Sequence, residues 1–370
     1  MPHPLAADFA MSSRSSDSGN RLFPTSVIGS LPRPRWVWEI VEDRLQRRID
    51  AAEADRVLDN AVRYAIRIQE QAGLDMISDG EWRRENYARV FADSVGGFRR
   101  MTVKRGLLSL EAVVVERLDA RESIVCKAAE FLRSHTDRAI MVALPSPCTI
   151  GDLMWHPDYS ASAYSTRESF VEACVPILRD EIWALSQLGV DLVQIDEPLL
   201  PRLANPEVYG LGAKGMLAHT IDLSVSTVNA LVDGFDGIEL RVHLCHAHGE
   251  EYRPTPGAAE LMQSAVERLQ VNFLAMEFNS PIAQSLQSLR DFPKEKTLGL
   301  GVVAPKDSDI ETPELVAERV QHAMQFIDKE RLVLTPDCGF ATTASRGGDL
   351  DRAYRKLAAL CRGAELLRKT

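Results

Sequence analysis

In the second half of the chain, a histidine and a cysteine have the side-chain types and the spacing of metal ligands. His243 and Cys245 stand two residues apart in the segment RVHLCHAHGEE, and side chains two apart on a strand point the same way. An imidazole and a thiolate with one orientation supply half of a tetrahedral zinc site. His246 falls on the opposite strand face and His248 in the following loop, so both are expected to support the site rather than bind the metal.

Two further ligands are predicted at the ends of later strands. Glu277 follows the apolar run VNFLAM, and Cys338 follows RLVLTPD. The gaps from Cys245 to Glu277 and from Glu277 to Cys338 approximate one and two strand–helix units, so a closed barrel would bring the residues to one rim. Thiolate, imidazole and carboxylate suit zinc better than magnesium or calcium. We predict a zinc ion that makes a substrate thiol nucleophilic, bound by His243, Cys245, Glu277 and Cys338.

Eight short apolar runs could supply the strands that position these ligands. They alternate with amphipathic patterns such as residues 52–73 and 312–330, which are typical of helices. Eight strand–helix units close a barrel, so we predict an α/β fold, a single (β/α)8 TIM barrel over residues 21–370. An open doubly wound sheet uses the same elements, but no G-x-G-x-x-G motif follows the first strand. The predicted strands are residues 26–30, 75–79, 139–145, 191–196, 238–245, 271–277, 296–304 and 331–337.

Two segments are expected to lie outside the barrel units. Residues 1–20 are rich in serine, proline and small side chains without apolar periodicity, so they should form a disordered tail. Residues 105–118 alternate apolar and polar side chains and are expected to form a β-hairpin inserted after the second barrel strand.

Composition and charge exclude several classes of protein. Hydrophobic residues make up 45% of the chain and the formal net charge is −10, and because no long basic run occurs we expect no nucleic-acid partner. No apolar stretch is long enough to span a bilayer and the N-terminus does not read as a signal peptide, so we expect no membrane partner and a cytoplasmic location. The six cysteines should therefore be reduced, which favours metal binding or catalysis over disulfides.

Six segments, in chain order, carry a resemblance to a known family. They are VIGSLPRP (27–34), SDGEWRRENY (78–87), LVQIDEP (192–198), HLCHAH (243–248), LAMEFNS (274–280) and LTPDCGF (334–340). Together they cover nearly the whole chain after the tail, and the chain resembles the catalytic C-terminal half of cobalamin-independent methionine synthase. The resemblance implies the barrel, the His, Cys, Glu, Cys zinc site, and methyl transfer to the thiol of homocysteine to form methionine.

The resemblance also implies roles for residues outside the zinc site. Ser30, in the IGS turn, would meet the amino-acid carboxylate, largely through backbone donors. Glu81 and Asp196 would hold the substrate ammonium, which agrees with the attraction of two carboxylates at a barrel mouth for one cation. Glu197 would support them, and Trp155 would lie against the ring system of the methyl donor.

The sequence also allows purely structural roles for Trp155, Glu81 and Asp196. Trp155 could be a buried structural tryptophan. Glu81 and Asp196 could instead pair with arginines at the surface, of which the nearby candidates are Arg33, Arg83 and Arg84.

Two departures from the family pattern bear on the methyl donor. The chain is too short to contain the N-terminal barrel with which full-length members help to hold folate, so the donor could be methyltetrahydrofolate or a methylated corrinoid protein. Where the family has a histidine that acts as a general acid, this chain has the segment GVVAPKDSDIE, which contains no histidine. Lys306 or Asp307 is expected to replace that acid, unless the leaving group needs none.

Two rival functions remain at this point. The first is zinc-dependent alkylation of another thiol, as in the similar epoxyalkane to coenzyme M transferases, where arginines would hold a sulfonate. Candidates are Arg33, Arg35, Arg83 and Arg84. The second is a non-catalytic zinc protein or corrinoid partner, because four protein ligands can also close a structural site.

Overall fold

The computed structural model describes residues 21–105, 108–198, 200, 214–245, 258–279, 286–341 and 348–369. The predicted tail, residues 1–20, lies outside this described part of the chain, as do His246 and His248.

Seven parallel strands form one curled sheet, and two antiparallel strands form a separate hairpin. The sheet order is β1-β4-β5-β6-β7-β8-β9, and seven of the eight predicted barrel strands correspond to its members. The runs are almost continuously apolar because helices and the barrel interior bury both faces of a parallel strand. The strands are β1 (Met76–Ile77), β2 (Val95–Arg105), β3 (Leu108–Ala120), β4 (Ala139–Pro145), β5 (Leu192–Asp196), β6 (Glu239–Leu244), β7 (Phe273–Met276), β8 (Thr297–Val303) and β9 (Leu332–Pro336).

The eighth barrel segment closes the sheet into a ring. Thr25 bridges Leu334 of β9 and Ser26 bridges Met76 of β1, both in parallel. Backbone hydrogen bonds run from Ser26 N to Leu334 O over 3.0 Å and from Met76 N to Thr25 O over 3.0 Å. The (β/α)8 barrel is therefore confirmed, with a first strand reduced to two bridging residues.

Helices follow most of the barrel strands and cover the outside of the ring. The second helix shows why they begin and end where they do: Asp50 accepts hydrogen bonds from the Ala52 and Glu53 amides, and Gly73 ends the helix with a φ of 94°. Within the described residues no helix is long and apolar enough to cross a membrane. The helices are α1 (Arg35–Leu45), α2 (Ala51–Ala72), α3 (Arg89–Ser94), α4 (Cys126–Arg133), α5 (Pro147–Met154), α6 (Pro157–Ser160), α7 (Arg167–Gln187), α8 (Lys214–Val232), α9 (Ala258–Arg268), α10 (Pro313–Ala323) and α11 (Leu350–Arg368).

The β-hairpin lies after the second barrel strand, as predicted, but it is longer than residues 105–118. Its first strand, β2, begins at Val95, ten positions before the predicted start. The prediction missed these positions because register shifts at Gly96/Phe98 and Arg100/Val103 interrupt the alternation of side chains. Gly97 has a φ of +104°, and a Cβ there would lie 2.8 Å from the Arg117 carbonyl oxygen. The bulge therefore requires glycine at position 97, and in a sequence glycine is usually taken to indicate a turn rather than a strand.

Candidate active site

Three of the four predicted metal ligands lie together at the C-terminal rim of the barrel. One ligand atom from each of His243, Cys245 and Cys338 lies within 4.8 Å of the others, and all three side chains are buried. His243 is on β6, Cys245 directly follows that strand, and Cys338 follows β9. The two sulfurs are 3.5 Å apart. The barrel thus joins residues that are distant in sequence, which the strand spacing predicted.

The chemistry of this cluster fits a zinc ion. Both ring nitrogens of His243 are buried, and within the described part of the chain neither has a hydrogen-bond partner of ordinary length and angle, although the Cys245 thiol lies beside the ring. A buried polar atom of this kind calls for a ligand. The Cys338 thiol donates to Cys245 Sγ, and this hydrogen bond, with burial, raises the pKa of Cys338. A cation beside the two sulfurs favours the thiolates instead. Imidazole and two thiols are zinc donors.

Glu277 is buried at the end of β7 but is not a member of the compact cluster. The segment that carries it is tied to β9 by Asp337, whose carboxylate accepts hydrogen bonds from Phe278 N at 3.0 Å and from Asn279 N at 3.1 Å. Asp337 directly precedes Cys338, so this clamp holds the Glu277 segment next to the strand end that carries a thiol. Burial raises the pKa of Asp337 to about 6, although these hydrogen bonds oppose the shift.

A cavity open to solvent, with about 390 Å³ of space that includes part of its mouth, lies at the cluster. It brings together the three clustered ligands and the three residues that the resemblance assigns to the amino acid. Four of its lining residues were not singled out in the sequence: Ile28, Tyr87, Pro198 and Gly339. The full lining is Ile28, Ser30, Glu81, Tyr87, Asp196, Pro198, His243, Cys245, Cys338 and Gly339.

Glu81 is held in an unusual backbone conformation at the edge of this cavity. Its φ is +59°, a region that non-glycine residues seldom adopt and that occurs preferentially at functional sites. The Glu81 amide donates to Asp79 Oδ1 over 2.9 Å, and its carbonyl accepts from Arg33 Nη2 over 2.8 Å. Burial raises the pKa of its carboxyl group.

Space for the Glu81 carboxylate exists because residue 29 has no side chain. A Cβ at Gly29 would lie 2.4 Å from Glu81 Oε1, and the φ of Gly29 is +154°. Glycine at position 29 therefore leaves room for the Glu81 carboxylate and also permits the positive φ of the IGS turn.

Asp196 ends β5 and lies opposite His243 in the register of β5 and β6. Its carboxylate lines the cavity and accepts a hydrogen bond from Gln194 Nε2 over 2.7 Å. Burial raises the pKa of Asp196 to about 7, with Glu81 adding to the shift and His243 opposing it. A bound cation between the two carboxylates would relieve this cost.

Ser30 joins the first barrel segment to the loop that follows Cys338. Its hydroxyl oxygen accepts from the Ala341 amide over 3.2 Å, and its carbonyl oxygen accepts from the Phe340 amide over 2.9 Å. Ser30 is buried and lines the cavity. The turn therefore lies where a substrate carboxylate could meet it.

The four remaining predicted residues are not among the described residues that line the cavity. Glu197 is fully buried, and its carboxylate accepts from Ser224 Oγ on α8 over 2.8 Å. The Trp155 indole N–H donates to the Tyr164 carbonyl oxygen over 3.1 Å. Lys306 and Asp307 are exposed in the loop after β8. The roles predicted for these four residues, in supporting Glu81 and Asp196, in binding the methyl donor and in protonating it, stay predictions.

None of the arginines near the site is among the described residues that line the cavity, but the Arg84 guanidinium lies 3.9 Å from Glu81 Oε1 and pairs with that carboxylate. Arg33 donates to the Glu81 and Glu85 carbonyl oxygens, and Arg84 donates to the Ala143 carbonyl oxygen over 2.9 Å. Arg35 and Arg83 pair respectively with Glu39 and Asp59.

These features describe a barrel whose rim carries an imidazole and two thiols that can hold a metal ion, together with two carboxylates. A family model described as the catalytic domain of cobalamin-independent synthase matches residues 23–350. The chain belongs to this family.

Relatives and a solved structure agree with the family match. The methionine synthases of Thermococcus kodakarensis and Pyrococcus horikoshii are 27% and 26% identical to the chain, and each alignment covers 94% of both proteins. A solved B12-independent methionine synthase from Shewanella sp. W3-18-1, in complex with selenomethionine, has the same fold, with a TM-score of 0.76 and 24% identity. That match covers 94% of this chain and 98% of the other.

The family corrects one expectation from the sequence. Its members are described as cobalamin-independent, which is contrary to a methylated corrinoid protein as methyl donor and to a role as a corrinoid partner. The short chain had suggested the corrinoid donor, but the relatives are covered over almost their whole length. The corrinoid partner had been left open because four protein ligands can also close a structural site.

Proposed function

We propose that the protein is a zinc-dependent S-methyltransferase that transfers a methyl group from methyltetrahydrofolate to the thiol of homocysteine, forming methionine. One observation carries the proposal: a buried imidazole and two thiols share a cavity with two carboxylates that can hold an ammonium group. A site that only stabilised the fold would have no use for Glu81 and Asp196 at the same rim.

The metal would be held by His243, Cys245 and Cys338, with Glu277 as the fourth ligand. In support of the fourth ligand, the Asp337 clamp keeps the segment that carries Glu277 beside Cys338. Zinc, when bound, lowers the proton affinity of a thiol that coordinates it and so supplies a nucleophilic sulfur at neutral pH.

The protein residues orient the amino acid. Glu81 and Asp196 accept hydrogen bonds from the substrate ammonium, and the turn at Ser30 receives its carboxylate. With both ends held, the sulfur is directed toward His243 and the two cysteines, and attack on the donor methyl becomes effectively intramolecular. The new bond joins carbon and sulfur, the methyl–nitrogen bond of the donor breaks, and the thiol proton leaves to solvent. Lys306 and Asp307, exposed in the loop after β8, are the candidates to protonate the donor nitrogen.

The coenzyme M rival is disfavoured by the arginines. A sulfonate needs a cationic partner in the cavity, whereas none of the four candidate arginines is among the described residues that line it. Arg33 and Arg84 donate to backbone carbonyl oxygens, Arg84 also pairs with Glu81, and Arg35 and Arg83 pair with Glu39 and Asp59. The cavity instead presents carboxylates, which repel a sulfonate and attract an ammonium.

A turnover assay with matched substrates tests the proposal. Zinc-loaded protein should form methionine from L-homocysteine and methyltetrahydrofolate, and it should not join coenzyme M to an epoxide. Replacing Glu81 with Gln should raise the KM for homocysteine by roughly 10- to 100-fold, because a charge-assisted hydrogen bond to the ammonium is lost.

The control for that substitution is Glu39→Gln, the same change at a carboxylate exposed on α1. It should leave KM and zinc content unchanged. Turnover with coenzyme M and an epoxide but not with homocysteine would establish the rival activity, and no turnover with either thiol would point to a structural metal.

A further inference from the structure

Gln194 lies on β5 two positions before Asp196 and is fully buried. Because side chains two apart on a strand share a face, both side chains are on the interior face of the barrel. The Gln194 amide nitrogen donates to Asp196 Oδ1 over 2.7 Å and to the Ile28 carbonyl oxygen over 2.6 Å. Its amide oxygen accepts from Arg241 Nε over 2.9 Å.

Two neighbours independently determine which way the amide faces. A guanidinium donates hydrogen bonds and cannot accept them, so the amide oxygen must face Arg241. A backbone carbonyl accepts and cannot donate, so the NH2 group must face Ile28. With both ends determined, the second N–H of that NH2 group is directed at Asp196.

Arg241 is itself held in place. It is fully buried on β6, and it donates to Ser26 Oγ over 3.2 Å and to the Val27 carbonyl oxygen over 2.9 Å. Its guanidinium also lies 5.1 Å from the centroid of the Phe273 ring. The two hydrogen-bond acceptors belong to the first barrel segment, the segment that leads into the turn at Gly29 and Ser30.

We propose that Gln194 is a positioning residue: Arg241 orients its amide so that it donates to Asp196, which leaves the carboxylate facing the cavity as an acceptor for the substrate ammonium. This inference rests on the proposed function, because it assumes a thiol substrate that carries an amino group. The relay also ties Ile28 to Asp196 and so sets the position of the first barrel segment relative to β5.

Replacing Gln194 with Glu separates this role from a purely structural one. Glutamate has nearly the same shape and keeps an oxygen for Arg241, but it withdraws a donor from the Ile28 carbonyl oxygen as well as from Asp196. A purely structural role therefore predicts lower stability and an equal weakening of every ligand. A carboxylate has no N–H to donate, so Asp196 would face a second acceptor. We expect the Kd for L-homocysteine, measured by calorimetry on zinc-loaded protein, to rise roughly 10- to 100-fold.

A matched ligand identifies the group through which Gln194 acts. The des-amino thiol 4-mercaptobutanoate keeps the sulfur and the carboxylate of homocysteine but lacks the ammonium, so its Kd should be the same in the wild type and in Gln194→Glu. Zinc content should also be unchanged. Equal weakening of both ligands, or no change in either, would overturn the inference.

A double-mutant cycle provides the second test. If Gln194 acts through Asp196, Gln194→Glu should have little further effect on homocysteine binding in an Asp196→Asn background, and additive effects would contradict the relay. Gln194→Met, which removes the donor without adding charge, should weaken homocysteine binding in the same direction. A wild-type protein that binds the two ligands equally would instead overturn the proposed function, because the ammonium would then have no partner.

Discussion

Replacing Cys338 with Ser is expected to remove the metal and to abolish turnover. Cys338 is one of three clustered donors, its sulfur is 3.5 Å from that of Cys245, and it is buried. A serine hydroxyl is a poor ligand for zinc, whose protein ligands are thiolates, imidazoles and carboxylates. We expect zinc content, measured by inductively coupled plasma mass spectrometry, to fall from about one per chain to near zero. Activity should fall at least roughly 1,000-fold, or about 4 kcal/mol in activation free energy.

The matched control is Cys361→Ser. Cys361 is also buried, but it lies on α11 and contacts Thr25 Oγ1 at 3.9 Å, outside the cluster of three donors. The same chemical change there should leave zinc content and the KM unchanged. A Cys338→Ser protein that keeps one zinc and full activity would contradict the assignment of the site.

Replacing Gly29 with Ala is expected to impair substrate binding without removing the metal. The new Cβ would lie 2.4 Å from Glu81 Oε1, so the carboxylate must move. A displacement of about 1 Å at a positioned group can reduce catalysis about 100-fold. The KM for homocysteine should therefore rise steeply, while zinc content, measured on the same preparation, stays at the wild-type value.

Gly234→Ala separates the clash from backbone strain. Gly234 also has a positive φ, +74°, but a Cβ there would meet no atom of the described residues within 4 Å. Alanine at this position therefore carries only the conformational cost, about 1 to 3 kcal/mol. Thermal denaturation should show destabilisation in both variants, whereas only Gly29→Ala should change KM. An unchanged KM for Gly29→Ala would mean that Glu81 does not hold the substrate.

The barrel and the metal cluster could be predicted because each depends on a repeating sequence signal. Apolar runs separated by helical patterns mark the parallel strands, and polar residues at the ends of the runs mark the catalytic rim. The alternation of side chains on a strand placed His243 and Cys245 on one face. Cys338 could be assigned to the same cluster because the ends of parallel strands meet at one rim of a barrel, whatever their separation in sequence.

The relay behind the site could not be predicted, although a signal for it was present. Arg241, His243 and Cys245 follow one another at two-residue spacing, so a charged residue shares the interior face with two of the clustered donors. What it contacts depends on strand register around a closed ring, which brings Arg241 to Gln194 and to Val27. Register between distant segments is a tertiary property that no local pattern encodes.

The position of Glu277 depends in a similar way on tertiary contacts. Its place after an apolar run marked it as a rim residue, but the Asp337 clamp that holds its segment joins residues almost sixty positions apart in the chain. The hairpin bounds were missed for a local reason, because the bulges at Gly96 and Arg100 interrupt the pattern of alternation on which strand prediction relies.

X-ray absorption at the zinc edge, on purified protein with and without L-homocysteine, tests the central claim most directly. We expect a shell of two sulfurs with nitrogen and oxygen donors in the free protein, and one additional sulfur when homocysteine is added. Coenzyme M, added in parallel, should leave the shell unchanged. A metal-free protein, or a zinc shell that homocysteine does not alter, would contradict the claim that this site activates the substrate thiol.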